Sequence, residues 1–197
     1  MARTYLKKAT LTAKSDASEV HATVRSILAD IEAGGDAKAL EYAAKFDQYD
    51  GNHILTEDEI AAAADQVPAK LRDDIRFAAD NVRRFAEAQK GTVSDFNMEI
   101  LPGVTAGQKL IPVDAAGCYV PAGRYCHIAS AIMTVTTAKV AGCGHITVAS
   151  PPRPGQGVAP AIAYAAQVCG ADEILAIGGV QGVASLAFGL FGLPKAN

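Results

Sequence analysis

Two short turns in the last half of the chain carry residue types that can do chemistry. One is Tyr119-Val120-Pro121-Ala122-Gly123-Arg124, the other Gly178-Gly179-Val180-Gln181. In the first, Tyr119 can present a flat ring and a hydroxyl. Pro121 and Gly123 shape a turn that lets backbone approach a ligand, and Arg124 can meet an anion. In the second, paired glycines ahead of a helix permit close approach. The helix N-terminus offers N–H groups, and Gln181 can both donate and accept hydrogen bonds. Neither turn is a G-x-G-x-x-G fingerprint. Taken locally, the first reads foremost as a plain βα turn with an exposed arginine.

The other chemistry-bearing side chains are scattered. Cys118, Cys126, Cys143 and Cys169 form no C-x-x-C pair, which argues against a zinc ribbon and for buried, reduced thiols of a cytosolic protein. His21 and His53 are lone histidines, read as surface or satisfied core residues. His127 and His145 are separated by a helix and have no metal spacing. Lys139 sits near a helix C-terminus, where a cation is favoured without any catalytic role.

These turns need elements to hold them. Three short apolar runs, at 117–120, 145–149 and 173–177, are each followed by a Gly- or Pro-rich turn and then a helix-like segment. Alternating strands and helices predict βαβ units and a parallel sheet. Ligands of such sheets bind outside the carboxyl ends of the strands, where both turns fall. The segment 128–140 mixes β-branched residues (Thr134 to Thr137) with alanines; its length and the stop at Gly142 predict a helix. A helix over 158–169 ends at Gly170.

Upstream, residues 1–14 read as an arm. Ser15 or Asp16 can cap a helix whose apolar face is Val20, Val24, Ile27, Leu28 and Ile31, stopped by Gly34-Gly35. Asp36 caps a second helix, and 47–52 is a turn by its Asp/Gly/Asn content. Thr56-Glu57-Asp58-Glu59 is a capping box with Leu55 and Ile60 as its staple. Pro68 suits the first turn of the next helix. There Leu71, Ile75, Ala78, Val82 and Phe85 form the most regular apolar face of the chain, and Gly91 ends it. Phe96–Ile100 and 104–111 predict an antiparallel β-ribbon across Pro102-Gly103.

With 197 residues, half of them hydrophobic, the chain can bury a core. A net charge of −3 gives no electrostatic reason to expect nucleic acid or an anionic membrane. The apolar run at 180–193 is too short and too glycine-rich to span a bilayer. No secretory signal is visible at the N-terminus.

Three segments resemble the N-terminal half of the histidinol dehydrogenase family: Gly117-Cys118-Tyr119-Val120-Pro121-Ala122-Gly123, Ala138-Lys139-Val140-Ala141-Gly142, and Ile177-Gly178-Gly179-Val180-Gln181 with Ala184, Leu186, Ala187 and Gly189. The resemblance runs from about residue 15 to the end. It implies an NAD-linked, zinc-dependent oxidation of a primary alcohol, through an aldehyde, to a carboxylate, with the cofactor carrying the redox chemistry. It places Tyr119 and Gln181 against NAD, with Pro121 beside it. It also implies a homodimer.

Ala122 departs from the usual Pro-Gly-Gly turn, so that backbone must tolerate a Cβ. The stretch 124–130 is similar to a branch whose members oxidise other small diols, notably dihydroxypropane sulfonate; an Arg and a His there suit an anionic substrate. In the family the zinc ligands, a proton-handling Glu-His pair and a further cofactor-contacting Asn lie in the C-terminal half. The sequence is therefore expected to hold no catalytic or metal-ligating residues of its own, and not to complete turnover alone. The fold expected is α/β: an N-terminal helical layer with a short β-ribbon (1–112) and an incomplete Rossmann-like parallel βαβ unit (113–197). The function expected is a cytoplasmic NAD- and zinc-dependent dehydrogenase of that family, oxidising L-histidinol or a related small diol such as dihydroxypropane sulfonate. The alternative is a non-catalytic fragment that binds a nucleotide or a partner.

Overall fold

The computed structural model describes residues 18–123 and 125–197. The expected arm over 1–14, the cap at Ser15 or Asp16, and Arg124 lie outside the described residues.

The α/β unit is a three-stranded parallel sheet in the order β3-β4-β5, built from Ala115–Tyr119, His145–Ala149 and Glu173–Leu175. Helix α4 (Ile128–Ala141) follows β3, α5 (Pro160–Cys169) follows β4, and α6 (Gly179–Phe188) follows β5. Side chains alternate across a strand, so one sheet serves two cores. Cys118, Ile146, Val148 and Ile174 point into a core shared with α4 and α5, while Ala149, Leu175 and Ile177 pack with Leu186 of α6. Burial on both faces explains why these strands read as nearly continuous apolar runs. The helical reading of 128–140 holds despite its threonines. Gly142 closes α4 in the left-handed conformation (φ 99°) that a side chain would resist.

The preceding helices pack directly on this unit. Helix α1 (Ser18–Phe46) lies along α6, whereas α2 (Glu57–Asp65) covers α5 and α3 (Ala69–Lys90) covers α4 and α5. Helix α1 breaks at Gly35 (φ 58°, ψ −144°), which makes it two helices, as the Gly34-Gly35 stop predicts. Asp36, expected as a cap, accepts the Phe191 N–H at 2.9 Å and so ties this break to the loop after α6.

Pro68 stands one residue earlier than predicted, as the N-cap of α3. Phe85 departs further from its predicted place. The buried line of α3 runs through Ile75, Ala79 and Ala86. Successive residues turn by about 100° around a helix, so Phe85 beside the buried Ala86 points outward and is 67% exposed. Val20, also expected on a buried face, is exposed. Strands β1 (Phe96–Leu101) and β2 (Val104–Gln108) form the predicted antiparallel ribbon, exposed along its whole length.

One element escaped the sequence reading. His53 to Leu55 runs antiparallel along the edge of β5: the Leu55 N–H donates to the Ile174 carbonyl at 3.0 Å and the Ala176 N–H to the His53 carbonyl at 2.7 Å. This covers an edge that would otherwise present unpaired backbone groups. Three residues are too few to show an alternating pattern.

The capping box ahead of α2 is complete. The Thr56 N–H donates to Glu59 Oε2 at 2.8 Å, and the Glu59 N–H donates to Thr56 Oγ1 at 3.2 Å. The first of these bonds holds the Glu59 carboxyl below its ordinary value. A carboxyl with a lowered folded-state pKa contributes stability above its unfolded pKa, about 4.3, and that stability fades as pH falls through the lower folded value. Acid unfolding of Glu59→Gln is therefore expected to be shallower below about pH 4.3 than that of the parent. Identical pH profiles would show that the box stores no pH-dependent stability.

Among the described residues, no helix is long and apolar enough to cross a membrane.

Candidate functional site

The carboxyl ends of β3 and β5 converge. Parallel pairing carries Tyr119 level with Ala149, and Ala149 level with Leu175. Beyond β5 the chain runs through Ala176 and Ile177 into the glycine pair. The Tyr119 hydroxyl then accepts the Gly179 N–H at 3.0 Å, a direct bond between the two turns singled out above. Tyr119 is half-buried with its tip at this rim, and Pro121 is exposed beside it.

Close packing here depends on missing side chains. A Cβ on Gly182 would stand 2.5 Å from the Ile177 carbonyl oxygen and 3.7 Å from the Tyr119 ring, and one on Gly178 would stand 2.7 Å from Pro151. Among the described residues, a Cβ on Gly123 would meet nothing within 4 Å. Ala122, whose extra Cβ departs from the Pro-Gly-Gly pattern, is accommodated by burial in the α4–α5 core.

Gln181 takes a different position from Tyr119 and Pro121. It is 1% exposed, and its Nε2 donates to Asp47 Oδ2 at 3.1 Å. The same oxygen accepts the Gly178 N–H at 3.0 Å. The amides of Gly178 and Gly179, read from sequence as available to a ligand, thus already hold Asp47 and Tyr119. Asp47 itself was read only as part of a turn. It lies 131 residues from Gly178, and no local spacing signals the meeting. Beside it lies a groove of about 470 Å³ between α1 and the start of α6, walled by Val20, Val24, Ile27, Phe46 and Val180, with Glu19, Asp47 and Gln181 as polar lining.

The remaining titratable groups stand apart from this rim. Burial pushes up the thiols of Cys118, Cys126 and Cys169, which keeps them protonated and poorly nucleophilic at neutral pH. Cys126 is half-buried, less enclosed than expected. His145 Nε2 pairs with Thr147 Oγ1 at 3.1 Å, and burial lowers the pKa of His53. Among the described residues, no group of three or more His, Cys, Asp or Glu side chains is placed to hold a metal ion.

The chain belongs to a family of dehydrogenases, the histidinol dehydrogenase family, whose model matches residues 11–197. Over 193 residues it is 74% identical to the sulfopropanediol 3-dehydrogenase of Ruegeria pomeroyi, covering 98% of this chain and 44% of that protein. The histidinol dehydrogenase of Methanosarcina barkeri is 39% identical over 93% of this chain and 42% of its own length. The crystal structure of histidinol dehydrogenase from Elizabethkingia anophelis superposes with a TM-score of 0.83 at 29% identity, over 95% of this chain and 42% of that one. The chain thus spans less than half the length of these relatives.

Proposed function

We propose that this chain is the cofactor-facing portion of an NAD-dependent dehydrogenase that oxidises a small primary alcohol, with a sulfonated propanediol as the favoured substrate class. The observation that supports the cofactor reading is the bond joining Tyr119 to Gly179, which ties the two turns together at the carboxyl ends of the strands, where ligands of parallel sheets bind. The surroundings fit a dinucleotide: a half-buried aromatic ring, an exposed Pro121 and, among the described residues, no atom within 4 Å of where a Gly123 side chain would begin. NAD, when bound, supplies the hydride acceptor. The chain's own residues orient it: Tyr119 braces the second turn, Pro121 borders the opening, and Gln181 supports the turn from beneath. The substrate class rests on the 74% identity to a sulfopropanediol 3-dehydrogenase.

The described residues do not supply a donor set for zinc. Any zinc-dependent step of the whole protein is assigned to residues outside this set, and turnover is not expected of the chain alone. A second reading, a non-catalytic module that binds a partner, is favoured by the apolar residues Phe96, Met98, Ile100 and Val104 exposed on the β1–β2 ribbon.

Calorimetric titration of NAD into the purified chain tests the cofactor reading. Binding is expected. Tyr119→Phe keeps the ring but releases the Gly179 N–H, so it should weaken binding roughly two- to tenfold, the net worth of one hydrogen bond. A parent chain that takes up no NAD overturns the reading.

A further inference from the structure

We propose that Asp47 is a positioning residue: it fixes the orientation of the Gln181 carboxamide and keeps the phosphates of a bound dinucleotide away from the amino end of α6, so that this turn meets an uncharged, donor-bearing part of the cofactor. The inference rests on the NAD reading above and deepens it.

A helix N-terminus after a glycine turn ordinarily takes phosphate, because its N–H groups are unpaired and its dipole end is positive. Here that end already holds an anion. Asp47 Oδ2 accepts the Gly178 N–H at 3.0 Å, and the Tyr119 hydroxyl accepts the Gly179 N–H at 3.0 Å. The space over Gly178 is closed as well: a Cβ there would stand 2.8 Å from Asp47 Oδ1 and 2.7 Å from Pro151. The adjoining groove adds a second carboxylate, Glu19, and its described lining includes no lysine or arginine. Lys45 lies over the Phe46 ring, 5.3 Å from its centroid. A pyrophosphate at this turn would meet negative charge with its N–H donors already engaged.

The same carboxylate decides what the turn offers instead. A carboxylate accepts hydrogen bonds and cannot donate them when ionised. It therefore holds the Nε2 side of Gln181 toward itself, at 3.1 Å. The amide lies against Gly179, with Oε1 3.0 Å and Nε2 3.4 Å from the position a Cβ of Gly179 would take. Oε1 is the nearer of the two to the exposed Gly179 backbone, where no side chain intervenes. An acceptor oxygen recognises a donor, such as a ribose hydroxyl or a carboxamide NH₂, and rejects a phosphate oxygen.

Nitrogen-15 NMR on the cofactor-free chain, titrated with inorganic phosphate, tests this. In the parent, the Gly178 and Gly179 amide signals are expected to stay put. Asp47→Asn keeps an acceptor oxygen and the volume beside Gly178: the Gln181 side-chain amide should remain protected and phosphate should still leave the Gly178 and Gly179 signals in place. Asp47→Ala frees the Gly178 N–H and opens the space beside it, so phosphate should now shift the Gly178 signal, and exchange of the Gln181 side-chain amide should speed by about tenfold or more, as expected for loss of a charge-assisted hydrogen bond. Phosphate shifts at these glycines in the parent or the Asn variant, an Ala variant that behaves like the parent toward phosphate, or unchanged Gln181 exchange in the Ala variant would each overturn the proposal. If the Ala variant does not fold, the parent and Asn titrations decide alone. Failure of the parent to bind NAD, with these results intact, would remove the cofactor reading and leave the Asp47 assignment standing.

Discussion

Ile146→Ala is expected to remove roughly 2–5 kcal/mol of folding stability. Ile146 sits on β4, the middle strand, and is fully buried in the core shared with α4 and α5. Its backbone is held independently of its side chain: the Ile146 N–H donates to Asp172 Oδ2 at 2.8 Å and its carbonyl accepts the Asp172 N–H at 2.8 Å. The strand therefore cannot collapse readily into the space that truncation leaves. Lost transfer energy and the cavity add together. Ile146→Val, which removes one methyl group, should lose only about 0.5–1.5 kcal/mol. Denaturant unfolding measures both. A loss below about 1 kcal/mol for the alanine variant would mean that this face of the sheet is not packed as described.

The second large effect sits at the candidate site and turns on a contest of magnitudes. Gly182→Ala would ordinarily stabilise a helix by roughly 0.8–1.0 kcal/mol. Here the new Cβ would lie 2.5 Å from the backbone oxygen of Ile177, with Tyr119 3.7 Å away. A main-chain carbonyl cannot swing aside as the end of a flexible side chain can, so α6 must move off the strand end. Overpacking of this kind costs about 1–3 kcal/mol, which outweighs the propensity gain, so a net loss is expected. Movement of α6 would also stretch the bond between Gly179 and Tyr119 and raise amide exchange at Gly179. Gly123→Ala is the control: with nothing among the described residues within 4 Å of its Cβ position, its effect should stay within about 0.5 kcal/mol. A stabilised Gly182→Ala would show that the helix can shift without penalty.

Much of the fold was legible because its signals are local. The capping box at Thr56–Glu59 needs only four residues, and the stop at Gly142 needs only a glycine after a long apolar segment. The strands at 145–149 and 173–177 announce themselves as short apolar runs before turns, although the hydrogen-bonded part of the last ends at Leu175. Placing the turns that carry Tyr119 and the glycine pair at one end of the sheet followed from a general property of parallel sheets, not from any contact visible in the sequence. Spacing alone misplaces a residue where packing geometry decides. Phe85 belongs to an apolar face by spacing, yet α3 buries its alanines and turns the ring outward.

By itself, then, the order of residues determined which segments are helix and which are strand, the family, and the two turns on which a ligand reading rests. The tertiary structure alone decided that Gln181 lies beneath the rim, that its amide leans on Asp47, and that the start of α6 already holds a carboxylate. The physical reason is range. Capping, turn chemistry and hydrophobic period act within a few residues and leave their mark along the chain. A hydrogen bond between Asp47 and Gly178 depends on α1 lying along α6, which no pattern of neighbouring residues encodes.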